Sequence, residues 1–125
     1  MDTISAKNKL TIDNYKQKKR TVTRIKWPDT DKDVGLMLLN CAELQESYFA
    51  ARDYFAKKGY QNQAENDMEY EAEKLTQQIC RFLIDPESCT GEEKYRIFAS
   101  ADECRKSLTA NERLFFATKY LELLG

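Results

Sequence analysis

Histidine is absent from the 125 residues of this chain. Missing with it is the side chain that most often moves protons in catalysis and that commonly shares zinc with cysteine. Cysteine occurs four times, but Cys41, Cys80, Cys89 and Cys104 lie 39, 9 and 15 positions apart, with no C-x-x-C pair, so neither a zinc site nor a redox dithiol is encoded. Cys41 and Cys80 read as small hydrophobes on apolar helical faces, and no disulfide is required. With four Gly and two Pro the chain has few obligatory breaks, a composition suited to long helices. No run approaches the roughly 20 apolar residues that cross a bilayer, and residues 1–10 lack the apolar stretch of a secretory leader. The expectation is a cytoplasmic protein with no membrane segment. The glycine patterns of nucleotide-binding loops and the G-x-S-x-G elbow are missing as well, so no enzyme, no metal and no cofactor is expected.

What is present describes one domain. Apolar residues make up 42% and charged residues 33%, enough for one core and a well-solvated surface. Charge is divided unevenly, with +6 over residues 1–28 and −7 over residues 29–125, which together give the net −1. This divides the chain into a basic N-terminal arm, 1–28, and a single helical domain, 29–125. The arm cations Lys16, Lys18, Lys19, Arg20, Arg24 and Lys26, with Tyr15 and Trp27 nearby, have three open readings: contact with nucleic acid, a contact on the acidic body, or docking to an acidic partner. The sequence pI of about 5.6 counts against the first, because the body would repel a polyanion.

Within the arm, residues 11–15 read as a short helix and the β-branched stretch 21–27 as a short strand that Pro28 ends. The oxygens of Asp29, Thr30 and Asp31 then read as the cap of a long helix beginning near Asp31. In that helix Val34, Cys41, Tyr48 and Phe55 recur every seven residues, with Met37, Leu44 and Ala51 as a second row, so one buried seam is expected. Lys57, Lys58 and Gly59 carry the chemistry of a helix stop, and 60–62 would be the turn. A second long helix runs to about Ile84 on the spacing of Ala64, Met68, Ala72, Leu75, Ile79 and Phe82, closed by Asp85-Pro86. The two should fold back as an antiparallel hairpin. Ser100-x-x-Glu103 and Thr109-x-x-Glu112 are capping signatures that start short helices near 101–107 and 110–124. The last of these carries Leu114, Phe115, Ala117, Thr118, Leu121 and Leu124, a surface for packing on the hairpin in preference to a subunit interface. The expected fold class is therefore mainly α: a long-helix hairpin, two short C-terminal helices and a basic arm with one short strand.

Two patterns resemble chemistry without supplying it. Trp27-Pro28-Asp29 is similar to the acid loop of tyrosine phosphatases, but the histidine-preceded cysteine and following arginine of that chemistry are missing. Glu65, Asp67, Glu69, Glu71 and Glu73 occupy alternate positions, which on a helix lie about 200° apart and cannot converge on one ion.

The stretch Phe82-Leu83-Ile84-Asp85-Pro86, then Ile97 to Arg105, then Leu108-Thr109-Ala110-Asn111-Glu112 and a terminal Tyr120-Leu121 resembles phage and prophage tail-assembly chaperones across roughly residues 27–124. Cys104, where such sequences often carry leucine, and the basic arm are departures. The resemblance implies a non-enzymatic helical protein of the host cytoplasm. Its partners would be the tape measure protein, whose apolar helices it keeps in solution, and tail tube subunits; a homo-oligomer is left open. Such a protein needs an apolar surface for a helical client, rimmed by charge, and the exposed members of the set Tyr60, Tyr70, Tyr95, Phe115 and Phe116 are the partner-binding candidates.

Overall fold

The computed structural model describes residues 9, 11–13, 20–59, 67–88 and 90–125. The chain is mostly helical, with a small antiparallel sheet formed largely by its N-terminal region. The strands are β1 (Val22–Lys26), β2 (Asp33–Met37) and β3 (Leu83–Ile84), in the order β1-β2-β3. The helices are α1 (Cys41–Lys57), α2 (Asp67–Phe82), α3 (Ala101–Ser107) and α4 (Ala110–Leu124), with a 3₁₀ turn at Glu93–Tyr95. Ile12 and Asp13 are helical. The remainder of the short helix read at 11–15, the turn at 60–62 and Cys89 lie outside the described residues.

The strand expected at 21–27 forms as β1, but the helix expected from Asp31 does not. Trp27-Pro28-Asp29-Thr30 is a hairpin turn: the Thr30 N–H donates to the Trp27 carbonyl at 3.1 Å and the Trp27 N–H to the Lys32 carbonyl at 2.8 Å. Pro28 presets the first central position, and Asp29 takes a left-handed φ of 64° at the second, where Asp is among the residues that tolerate it. The chain returns as β2, Val22 opposite Met37 through Lys26 opposite Asp33. Val34, Leu36 and Met37 are buried along β2, the continuous apolar run of a central strand and not one face of a helix. Gly35 makes the close packing of this strand feasible, since a Cβ there would sit 2.5 Å from Val22 Cγ1 and 2.9 Å from the Ile84 carbonyl oxygen.

The first helix starts at Cys41, where Asn40 and Glu43 form a reciprocal capping box at 2.9 Å in each direction. It ends where expected, at Gly59 with φ 86°. Its buried face is Glu43, Ser47, Ala51 and Phe55, a row spaced by four. The expected seam of Val34, Cys41 and Tyr48 is therefore corrected: Val34 is in a strand, and Cys41 and Tyr48 are exposed. The helix begins ten residues later than expected, and its inward row lies under Arg20 at Glu43 and against Tyr70 of α2 at Phe55, while Leu44 packs on the main core. Ser47 is tolerated inside because its hydroxyl donates to the Glu43 carbonyl at 2.9 Å.

In α2 the expected stripe holds at its C-terminal end, with Ile79 and Phe82 buried, and fails at Met68, which is 88% exposed. The helix gives way at Leu83 to β3, which pairs with β2 through Gly35 opposite Ile84 and Leu36 opposite Leu83. On its other side β3 bridges Arg96 through Ile84. The helices expected near 101–107 and 110–124 occur at those bounds. Ser100 caps α3 and a Thr109–Glu112 capping box starts α4.

The main core gathers Leu36 and Leu83 of the sheet, Ile79 and Phe82 of α2, and Phe116 and Tyr120 of α4. Tyr120 stacks on Phe82 with centroids 4.5 Å apart, and its hydroxyl accepts from the Leu39 N–H at 3.0 Å, so the ring is buried without orphaning its polar tip. Trp27 meets Phe116 edge-on at 4.8 Å and donates its indole N–H to Glu112 at 2.8 Å. A second, smaller cluster of Ala51, Phe55 and Tyr70, with Tyr54 against it, joins the C-terminal half of α1 to the start of α2.

Candidate functional site

Beside that smaller cluster α1 and α2 leave an open groove of about 440 Å³. Gln45, Tyr48, Phe49 and Arg52 of α1 stand at helical spacings of three and four, so they share one outward strip, and Tyr70, Glu71 and Lys74 of α2 form the opposite wall. Phe49 is 55% and Tyr48 42% exposed. The Lys74 ammonium lies 5.4 Å from the Tyr48 centroid and 5.2 Å from that of Tyr70, and pairs with Glu71 at 2.9 Å. It thus holds both rings by cation–π attraction while its charge is met by Glu71. Arg52 has no ion pair among the described residues.

The partner-binding candidates do not converge. Tyr70 lines the groove, but it is largely buried against Phe55, with centroids 5.4 Å apart. Tyr95 sits half-buried in the 3₁₀ turn under Lys94, Phe115 is half-buried, and Phe116 is fully buried in the main core. Phe116 is a core anchor and drops out of the exposed members of that set, because α4 turns its Phe116–Tyr120 edge inward. Tyr60 lies outside the described residues. Exposed instead are Leu114, Leu121 and Leu124 of α4, three of the six residues expected to pack, whereas Phe115 does pack against the main core; the three form a second apolar face. Sequence periodicity does not reveal the exposed strip of Phe49 and Arg52, because it places Tyr48 in a buried seam. The Asn40-x-x-Glu43 cap is the sequence signal that marks the helix start and with it the inward face.

Of the arm cations, Lys16, Lys18 and Lys19 lie outside the described residues. Arg20 forks over the Glu43 carboxylate at 2.8 and 3.1 Å and also donates to the Leu38 carbonyl. Arg24 pairs with Glu87 and with Asp33, and Lys26 with Asp33 at 3.1 Å. For these three the contact on the acidic body is the arrangement observed. Burial pushes the Glu43 carboxyl up, but hydrogen bonds from Arg20 and the Asn40 N–H, with the charges of Arg20 and Arg96, outweigh it and hold the group below its ordinary value.

On the far side of α2, the carboxylate of Glu73 is buried beneath Arg105 of α3, which donates to it at 2.9 and 2.6 Å, while Gln77 donates at 2.8 Å. The Arg105 guanidinium also lies 4.0 Å from the Tyr54 centroid, so one side chain ties α3 to both halves of the helix pair. Cys80 and Cys104 are buried, and burial pushes the Cys104 thiol up to about 12, which keeps it protonated and unreactive. Cys41, expected on a buried face, is exposed.

Among the described residues no group of three or more Cys, Asp or Glu could hold a metal ion, and no helix is long and apolar enough to cross a membrane. Compared with known proteins, the chain matches no family model, no curated protein and no solved structure.

Proposed function

We propose that this chain is a non-enzymatic assembly chaperone of a phage or prophage tail, acting in the host cytoplasm, that binds helical segments of a tape measure protein and brings tail tube subunits to it. The reading takes α1 and α2 as an antiparallel hairpin, in keeping with Phe55 against Tyr70 near one end of the pair and Tyr48 near Lys74 further along. The observation that carries it is the groove between these helices, which leaves the rings of Tyr48 and Phe49 in water beside charged rims. An amphipathic client helix laid along the groove would cover both rings with its own apolar stripe. The rim of Arg52, Glu71 and Lys74 would remain wet, an arrangement suited to a client that must later be released. The Leu114, Leu121 and Leu124 face of α4 offers a separate surface for tail tube subunits or a second copy of the chain.

Co-expression with a fragment of a tape measure protein tests this. The expected result is a soluble complex that Phe49→Ala weakens at least about tenfold, as for a central aromatic contact. A fragment that stays insoluble and unbound in the presence of the chain would overturn the proposal. The nucleic-acid alternative is the weaker one, since Arg20, Arg24 and Lys26 already pair with carboxylates of the chain. It requires binding that falls steeply with salt and weakens in Arg20→Ala or Lys19→Ala.

A further inference from the structure

We infer that the groove between α1 and α2 selects its occupant by charge: it takes a helix that carries a carboxylate one turn away from its apolar anchor. The inference rests on the chaperone reading only in making the occupant a polypeptide, and it names the chemistry of that polypeptide. Residues 29–125 carry a net charge of −7, so on average this body repels acidic segments. The groove departs from that average. Of its charged walls, Glu71 and Lys74 neutralise one another at 2.9 Å, leaving the Arg52 guanidinium without an ion pair among the described residues.

The placement of Arg52 supplies the register. Phe49 and Arg52 are three residues apart on α1, so their side chains are neighbours on the helix surface, about 5–6 Å apart at Cβ. An occupant whose apolar side chain covers Phe49 and Tyr48 therefore brings the residue three or four positions along its own helix opposite Arg52. A carboxylate there meets a planar fork able to bind it in two parallel hydrogen bonds, whereas a lysine meets a like charge. Lys74 cannot take over this role without leaving both Glu71 and the two tyrosine faces it lies over. The basic arm of the chain itself is excluded as occupant by the same sign argument.

The test uses the full chain and two fluorescent helical peptides with the same leucine stripe, one bearing glutamate and the other lysine one turn from the central leucine. The glutamate peptide is expected to bind roughly threefold to tenfold more tightly at low salt, a preference that shrinks as salt is added. Arg52→Glu should reverse the order of the two peptides. Because Arg52 is exposed, this variant should keep the wild-type melting temperature, and Phe49→Ala should weaken both peptides alike. Equal binding of the two peptides, or an unchanged ratio in Arg52→Glu, overturns the inference. Failure of the chaperone reading looks different: there the glutamate peptide binds as expected while a tape measure fragment is not captured. Conversely, capture of that fragment equally by wild type and Arg52→Glu overturns the charge selection and leaves the chaperone reading standing.

Discussion

The two apolar clusters of this molecule are built to different specifications. The main core joins residues distant in sequence, Leu36, Phe82, Leu83, Phe116 and Tyr120 among them, and its polar tips are met internally, Tyr120 by Leu39 and Trp27 by Glu112. The smaller cluster is Ala51, Phe55 and Tyr70 with Tyr54 at its edge, and its neighbours Tyr48 and Phe49 are left in water. Burial per residue sets local stability. The main core therefore holds the fold, while the far end of the helix pair opens at lower cost and carries the surface available to a partner.

The comparison breaks if the two clusters respond alike to truncation. Phe116→Ala, at a fully buried ring packed on Trp27 and Phe115, should cost about 3–5 kcal/mol, read as a lower urea midpoint with global loss of the helical circular dichroism signal. Arg105→Ala leaves the buried Glu73 carboxylate with Gln77 as its remaining side-chain partner and should cost roughly 3 kcal/mol. Gly35→Ala forces a methyl toward Val22 and the Ile84 carbonyl and should cost about 1–3 kcal/mol, with amide exchange rising first in β1 and β3. Phe55→Ala should cost about 3 kcal/mol at most, at the low end of such truncations, and its distinguishing mark is regional: exchange rises in α1 while the sheet keeps its protection. A global collapse in Phe55→Ala would show that the small cluster is as essential as the large one.

The smallest effect expected is one of pH. Glu43 is held below its ordinary value of 4.5, so the unfolded chain takes up that proton more readily than the folded one. Its contribution is complete above that ordinary value and is lost as the pH falls through the lower, folded value. Acid titration of Glu43→Gln, followed by urea unfolding, should show a shallower loss of stability than the wild type. Parallel curves would mean that Arg20 contributes nothing through this carboxylate.

Local chemistry was legible wherever a signal and its consequence lie within a few residues. The Ser100 and Thr109 caps announce α3 and α4, Gly59 ends α1, and the β-branched run at 22–26 forms a strand. Sequence and structure part where a periodicity runs across an element boundary. Val34 and Met37 keep helical spacing with Leu44 and Ala51, yet β2 and α1 are separate elements divided by the Asn40 cap. A short apolar run serves equally as a buried strand or a helix face, and partners decide which. The same ambiguity hid the groove, since Tyr48 can be assigned inside or outside only once the partner of α1 is known.

What the sequence alone determined are the helix caps and stops, because these depend on side chains within a turn of one another, and the charge polarity of the two parts, which is a sum over residues whatever their fold. Tertiary structure alone decided that residues 33–37 enter a sheet, that Phe116 faces inward while Leu114 and Leu121 face out, and that Arg20 meets Glu43. Each of these outcomes depends on a surface supplied by a distant segment, and burial is a property of the pair and not of either residue.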